Sequence, residues 1–356
     1  MNNSLNNEAP TITRTAAPLD HNARATLRKT LVVCAALTLM LIFIMIIAAT
    51  LGSERVPVID TLRALFTGGS NSGALTPTQR AILFEIRLPR ILLAATVGAS
   101  LAAAGASYQA LLRNALAEPY LLGISNGAAV GTMVALVFLG ANEWTRPVMA
   151  FAGALAATFV VYRLARGRAG TSPERLILAG VIVTTFQSSV IVFITTLMDA
   201  TRIRSFTFWL LGDLSQASSG SLWIAAASTI TGVAALTFKA RPLNLLMLGE
   251  RDAFDLGVEV ERVRLQVFLA ASLLVGVSVA LSGSVGYVGL VVPHLVRMST
   301  SGDNRLTIPA AALAGASFVV VADTLARTVI APRELPVGAI TALIGAPLFI
   351  YLLKRR

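Results

Sequence analysis

"LLMLGERDAFDLGVEVERVR", residues 245–264, places eight charged residues among twenty positions. On either side the chain is apolar: residues 214–238 and 265–296 contain no Asp, Glu, Lys or Arg. A charged island between two such runs is a connection on one face of a membrane, and reading it so decides the fold. Within it, Glu250–Leu256 has the length of a two-turn helix. Glu250 and Asp252 fall in the first turn, where acidic groups complement the helix dipole. Gly257 suits the left-handed residue that stops a helix. Ala253, Phe254 and Leu256 give this helix an apolar side that no membrane span can bury. A solvated loop has no use for an exposed phenylalanine, so the segment is expected to dock a cytoplasmic partner.

Composition agrees with the membrane reading. Of 356 residues 55% are hydrophobic and 13% charged, against about 25% charged in soluble domains. Further charge-free windows lie at 30–53, 91–112, 119–142, 147–162, 176–198, 306–322 and 335–353. Most match the roughly 20 residues that a helix needs to cross the hydrocarbon core. The window 265–296 is too long for one crossing and is interrupted by glycines and Pro293-His294. It reads as one span followed by a short broken or re-entrant helix, which makes ten membrane segments in an all-α membrane protein. Residues 1–29 are polar and read as a disordered cytoplasmic tail, with the membrane domain over 30–356 and its cytoplasmic coupling loop at 239–264. With the N terminus inside, 19 of the 29 Lys and Arg residues lie on the cytoplasmic side, which favours N-in, C-in. The net charge of +11 therefore reports topology, and no basic domain for nucleic acid is present. The single cysteine, Cys34, excludes a disulfide framework and a thiol metal cluster.

"VGASLAAAG" (97–105) and "VGVSVALSG" (275–283) share Val, Gly, Ser, Ala and Gly in register, on helices of opposite direction. This reads either as an inverted repeat, a transporter trait, or as two small-residue packing faces.

Several chemistries are missing. The lysines are Lys29, Lys239 and Lys354, and none follows a glycine and precedes Ser or Thr as a phosphate-binding loop requires. Ion coupling places carboxylates inside spans, yet the clearest one is Asp323, four residues before Arg327 and spaced for an ordinary helical ion pair. "GISNG" (123–127) matches a nucleophile pattern that needs a preceding strand; here Ser125 or Asn126 is expected to cap a membrane helix. An ion-coupled secondary transporter and an intramembrane serine protease using Ser125 and His294 stay open as alternatives. No catalytic and no metal site is expected. A second anomaly is "RLPR" (87–90), two arginines at the outer mouth of the second span, with Arg327 nearby. They read as snorkelling side chains or as a rim that receives acidic side chains of an external partner.

Taken together, the chain resembles the permease family of ABC importers for iron-siderophores, haem and cobalamin. The motifs are "RLPR", "RNALAEPYLLGISNGA", "LILAGV", "FWLLGDLS", "LNLLMLGERDAFDLGV", "GSVGYVGLVVPHLVR", "ADTLAR" and "ELPVGAITALIGAPLFIYLL". They run in order from about residue 85 to the C terminus; the tail and the Gly/Ser/Asn-rich stretch 68–73 lie outside. The resemblance implies the type II importer permease fold in a bacterial inner membrane. The implied partners are a second permease copy, two cytoplasmic ATPase subunits that hold the ATP and Mg, and a periplasmic binding protein. By motif position, Gly249, Glu250, Ala253, Phe254, Leu256 and Gly257 fall in the coupling helix. Arg87, Arg90 and Arg327 fall where the binding protein docks. Asn114 and Leu116, with Thr171 and Ser172, fall at the cytoplasmic gate, and Thr184, Thr185, Gln187, Ser188 and Ser189 along the pathway. One departure is Ala115, where the family has proline. Transport by alternating access, with little ligand discrimination in the permease itself, is what the resemblance implies.

Overall fold

The computed structural model describes residues 18–52, 56–66, 75–139, 144–167, 170–215, 218–300 and 302–354. Among these residues there is no β-strand. The helices, in chain order, are α1 (Pro18–Thr50), α2 (Val58–Phe66) and α3 (Pro77–Ala81), which runs through a π turn (Ile82–Arg87) into α4 (Leu88–Leu111). A 3-10 turn (Pro119–Leu122) precedes α5 (Ile124–Val134), which ends in a second π turn (Ala135–Leu139). Then follow α6 (Thr145–Ala165), α7 (Pro173–Thr195), α8 (Ala200–Leu210), α9 (Ser219–Phe238), α10 (Ala240–Leu248) and α11 (Glu250–Asp255). The last four are α12 (Val260–Ser282), α13 (Val288–Ser299), α14 (Asn304–Thr328) and α15 (Val337–Lys354). Among the described residues, seven helical stretches are long and apolar enough to cross a membrane, and three shorter apolar helices accompany them. These give the ten membrane segments expected.

The window 265–296 divides as its glycines suggest, into α12 and the short α13. Residues 283–287 between them are not helical, and backbone at membrane depth needs partners from the protein. Tyr120 supplies two: its hydroxyl donates to the Val285 carbonyl at 2.7 Å and accepts from the Val285 N–H at 2.8 Å. Glu118 accepts from the Tyr287 N–H at 2.9 Å, at the start of α13.

The core is built on α4. Its 24 residues pack against α9, α12, α13 and α14, and most of its side chains are buried. Small residues make this approach possible. A Cβ on Gly98 would strike the backbone of Gly315 on α14, and one on Gly105 would strike Gly289 on α13. Buried hydroxyls join the helices, Ser100 to Thr229 at 2.8 Å and Tyr108 to Ser272 at 2.6 Å. The paired motifs of the sequence differ in structure. Gly105 lies inside α4, whereas Gly283 ends α12 with a φ of 68°.

Two points depart from expectation. α1 begins at Pro18, so residues 18–29 are helical rather than a disordered tail; proline is favoured in a first turn because its missing N–H would be unpaired there anyway. Residues 1–17 and the stretch 68–73 lie outside the described residues. The helices α2, α3 and α8 were not anticipated, being too short and polar for a span. Local capping explains two of them. Thr76 and Gln79 form a reciprocal capping box on α3, and Asp199 accepts from the Arg202 N–H at the start of α8.

Candidate coupling face and transport site

The charged island folds as two short helices joined at one residue. α10 runs to Leu248, Gly249 adopts φ 150° and ψ 152°, and α11 starts at Glu250. That backbone region is essentially reserved for glycine. α11 is closed by Gly257 at φ 85°, with the Val258 N–H bonded to the Ala253 carbonyl and the Gly257 N–H to that of Phe254, a Schellman arrangement. Its apolar side is split. Ala253 is fully buried against the body, whereas Phe254 and Leu256 are 71% and 62% exposed.

Beneath α11 lies a polar network that the sequence reading missed. Arg264, 2% exposed on the first turns of α12, donates through Nη2 to Glu250 Oε1 at 2.6 Å. Through Nη1 it donates to Glu261 at 2.9 Å and to the Thr171 carbonyl. Glu261 in turn accepts from the Thr171 N–H at 2.8 Å and from its hydroxyl at 3.0 Å. Arg113, in the loop after α4, stands 3.7 Å from Glu250. The expected gate residues therefore meet the coupling segment through Thr171. Ser172 serves as the N-cap of α7, accepting from the Arg175 N–H. Asn114 closes a local turn by accepting from the Leu116 N–H at 2.9 Å, and Leu116 is half exposed.

At the outer end, the arginines are not a rim of free cations. Arg87, Arg90 and Arg327 are 4%, 6% and 8% exposed. Arg90 donates to Asp323 at 2.9 Å and to Glu334 at 2.7 Å, while Arg327 takes the other oxygen of Asp323 at 3.1 Å. Arg87 donates to the Ala49 carbonyl and Arg327 to that of Ala48. The last carbonyls of a helix lack intrahelical donors and carry its negative dipole end, so both guanidinium groups belong to the C-terminal cap of α1. The expectation that Asp323 makes only an i,i+4 pair was too narrow, because it bridges α4 and α14. Beside Arg90 a cavity of about 240 Å³ opens, lined by Phe208, Asp213, Ser215, Glu334 and Pro336 among others.

The polar stripe on α7 divides by face. Thr185, Ser188 and Ser189 are exposed and bond back to carbonyls of their own helix. Thr184 and Gln187 turn towards α5, where Val183, Thr184 and Gln187 surround Gly123. Neither Thr184 Oγ1 nor Gln187 Oε1 makes a hydrogen bond within the protomer. Asn126 does not cap α5 as expected; its amide donates across to the Thr184 carbonyl and to Ser188. Ser125 follows a 3-10 turn rather than a strand, so the nucleophile-elbow setting is absent. No cluster of three metal-ligating groups occurs among the described residues.

A helical body with this many long apolar helices and a two-helix foot on one face is that of a multi-pass membrane protein. The chain belongs to the FecCD transport family, whose model matches residues 39–355. It is 40% identical to the hemin transport system permease protein HmuU of Yersinia pestis over 309 residues, 82% of this chain and 92% of that protein. Identity with the cobalamin import system permease protein BtuC of Halobacterium salinarum is 42% over 279 residues, covering 78% and 75%. Among solved structures, one described as a "metal-chelate type ABC transporter" in an inward-facing conformation superposes with a TM-score of 0.81 at 30% identity, covering 91% of this chain and 99% of that one. The protein is an ABC importer permease subunit with the type II fold.

Proposed function

We propose that this chain is the permease of an importer that carries an iron chelate (siderophore or haem) or cobalamin from periplasm to cytoplasm across a bacterial inner membrane. The relatives support this cargo class, being described as hemin, cobalamin and metal-chelate transporters. The observation that carries the proposal is α11, a helix anchored to the body by Glu250 and Ala253 while presenting Phe254 and Leu256 to the cytoplasm. An anchored helix with an outward apolar pair is a helix-in-groove element. Its occupant is an ATPase subunit, because the chain holds no phosphate-binding loop of its own. ATP and Mg are bound there, and two such subunits serve two identical permease copies. The exposed face of α7, with Thr185, Ser188 and Ser189, lines the pathway between the copies, and Asn114, Leu116, Thr171 and Ser172 close it on the cytoplasmic side.

A periplasmic binding protein docks at the outer end. Arg90 remains the best anchor for it, as the floor of the outer cavity, with Arg87 and Arg327 setting the positive potential behind it. The test is purification of the tagged chain from native membranes in mild detergent, followed by ATP-driven uptake in vesicles of ferric siderophore, haem and cobalamin separately. Co-purification of an ATPase and accumulation of one of the three is the expected result. Accumulation driven by a proton or sodium gradient without ATP would overturn it.

A further inference from the structure

The two short helices of the island are held by different parts of the body. On α10, Asn244 donates to Asp303 at 2.7 Å and accepts from the backbone and side-chain amides of Asn304 at 2.9 and 2.8 Å. Asn304 is fully buried at the start of α14, so α10 is fixed to that helix. α11 is fixed instead through Glu250 to Arg264. Between the two anchors stands Gly249, in a backbone region that the residues on either side cannot adopt cheaply.

We propose that Arg264 is the positioning residue that carries movement of α11 to the cytoplasmic gate, with Gly249 as the pivot. The proposal rests on the coupling reading of α11 given above. A guanidinium is planar and its donors have fixed directions, so it passes on a displacement of Glu250 that the flexible stem of a lysine would absorb. Arg264 is almost wholly buried with its Nε already unpaired, so losing Glu250 would leave a second buried donor without a partner, which is costly. When Glu250 moves, Arg264 and the Thr171 carbonyl that it holds therefore move with it. Glu261 keeps the unit on α12 by gripping Thr171 twice. Arg113 brings the loop after α4 to the same Glu250 carboxylate. Both gate loops thus answer to one acidic residue at the first turn of the coupling helix, while α10 stays with α14.

A purely structural rivet would predict loss of folded protein and nothing else, so the test reads gate movement. The permease is purified with its co-purifying ATPase and placed in nanodiscs. Cys34→Ser removes the one native cysteine, and Ala115→Cys reports from the turn between Asn114 and Leu116. Labelling by a polar maleimide is timed without nucleotide and with ATP plus vanadate. In this parent the nucleotide should change the labelling rate by about tenfold, within the usual range of coupling between sites. Arg264→Lys and Glu250→Gln should each retain the ATPase and lose most of that change. If both variants respond like the parent, the relay is overturned and the coupling reading stands. If Phe254→Asp leaves ATPase retention untouched, it is the coupling reading that fails. Should Arg264→Lys not assemble, Glu250→Gln decides alone, because its side chain is already 38% exposed.

Discussion

Asp323 is the residue on which the outer half of the protein depends most. It is 1% exposed and neutralises Arg90 and Arg327 at once. Removing one partner of a buried ionic group typically costs about 3–5 kcal/mol, because the remaining charge has no water to turn to. Asp323→Ala should therefore lower the midpoint of thermal unfolding in detergent sharply, whereas Asp323→Asn, which still accepts from one arginine, should lower it less. Glu118 invites a milder contrast. Its carboxylate accepts from the Tyr287 N–H at 2.9 Å. Glu118→Gln keeps an acceptor for that N–H and should be near neutral, while Glu118→Ala should cost about 1–3 kcal/mol for the orphaned donor; unfolding of both variants in one detergent checks this. Neither Glu118 nor Arg264 was singled out in the sequence. In a charged island an arginine reads as a topology charge, and nothing local says that Arg264 alone turns inward. Glu118 did leave a signal, a carboxylate one residue before a proline at the edge of an apolar run. Its partner is 169 residues away, and no periodicity reaches that far.

Among the elements, α11 makes the sharpest demands. Gly249→Ala forces a Cβ into a backbone region that costs of order 1–3 kcal/mol to occupy. The expected outcome is a folded, membrane-inserted protein with reduced uptake, measured beside its thermal stability, because the strain falls between two anchored helices and not in the core. Phe254→Asp, at an exposed position, should leave stability unchanged and abolish retention of the ATPase on an affinity column. The sequence announced α11 and its stop through acidic residues, a phenylalanine and a glycine, all local features. It announced the outer arginines but not their burial, since burial is set by where α1 ends and by Asp323 on a distant helix. The short helices α3 and α8 were legible only to capping rules, which a search for apolar windows does not apply.

For the whole molecule, the positive charge bias gave a direction, and the structure gives that direction two unlike ends. If that direction holds, the cytoplasmic end carries α11, and the outer end carries a buried ionic cluster beside an open cavity. A cysteine at Phe254 should react with an impermeant maleimide only from the cytoplasmic face of sealed vesicles, and one at Arg333 only from the outer face; the reverse pattern would invert the topology.

α1 adds a matter of biogenesis. This helix leans mainly on α14, only 6% of its most apolar window is buried within the protomer, and its C-terminal carbonyls are tied to Arg87 and Arg327. α1 thus completes its docking only when Arg327 on α14, synthesised well after it, has followed it in. Between the synthesis of α1 and that of α14, α1 waits in lipid as an incompletely assembled helix, open to insertion factors and to quality-control proteases. Ribosome-stalled chains that end before α14 should be cut by a membrane protease near residue 50, and chains that have inserted α14 should resist.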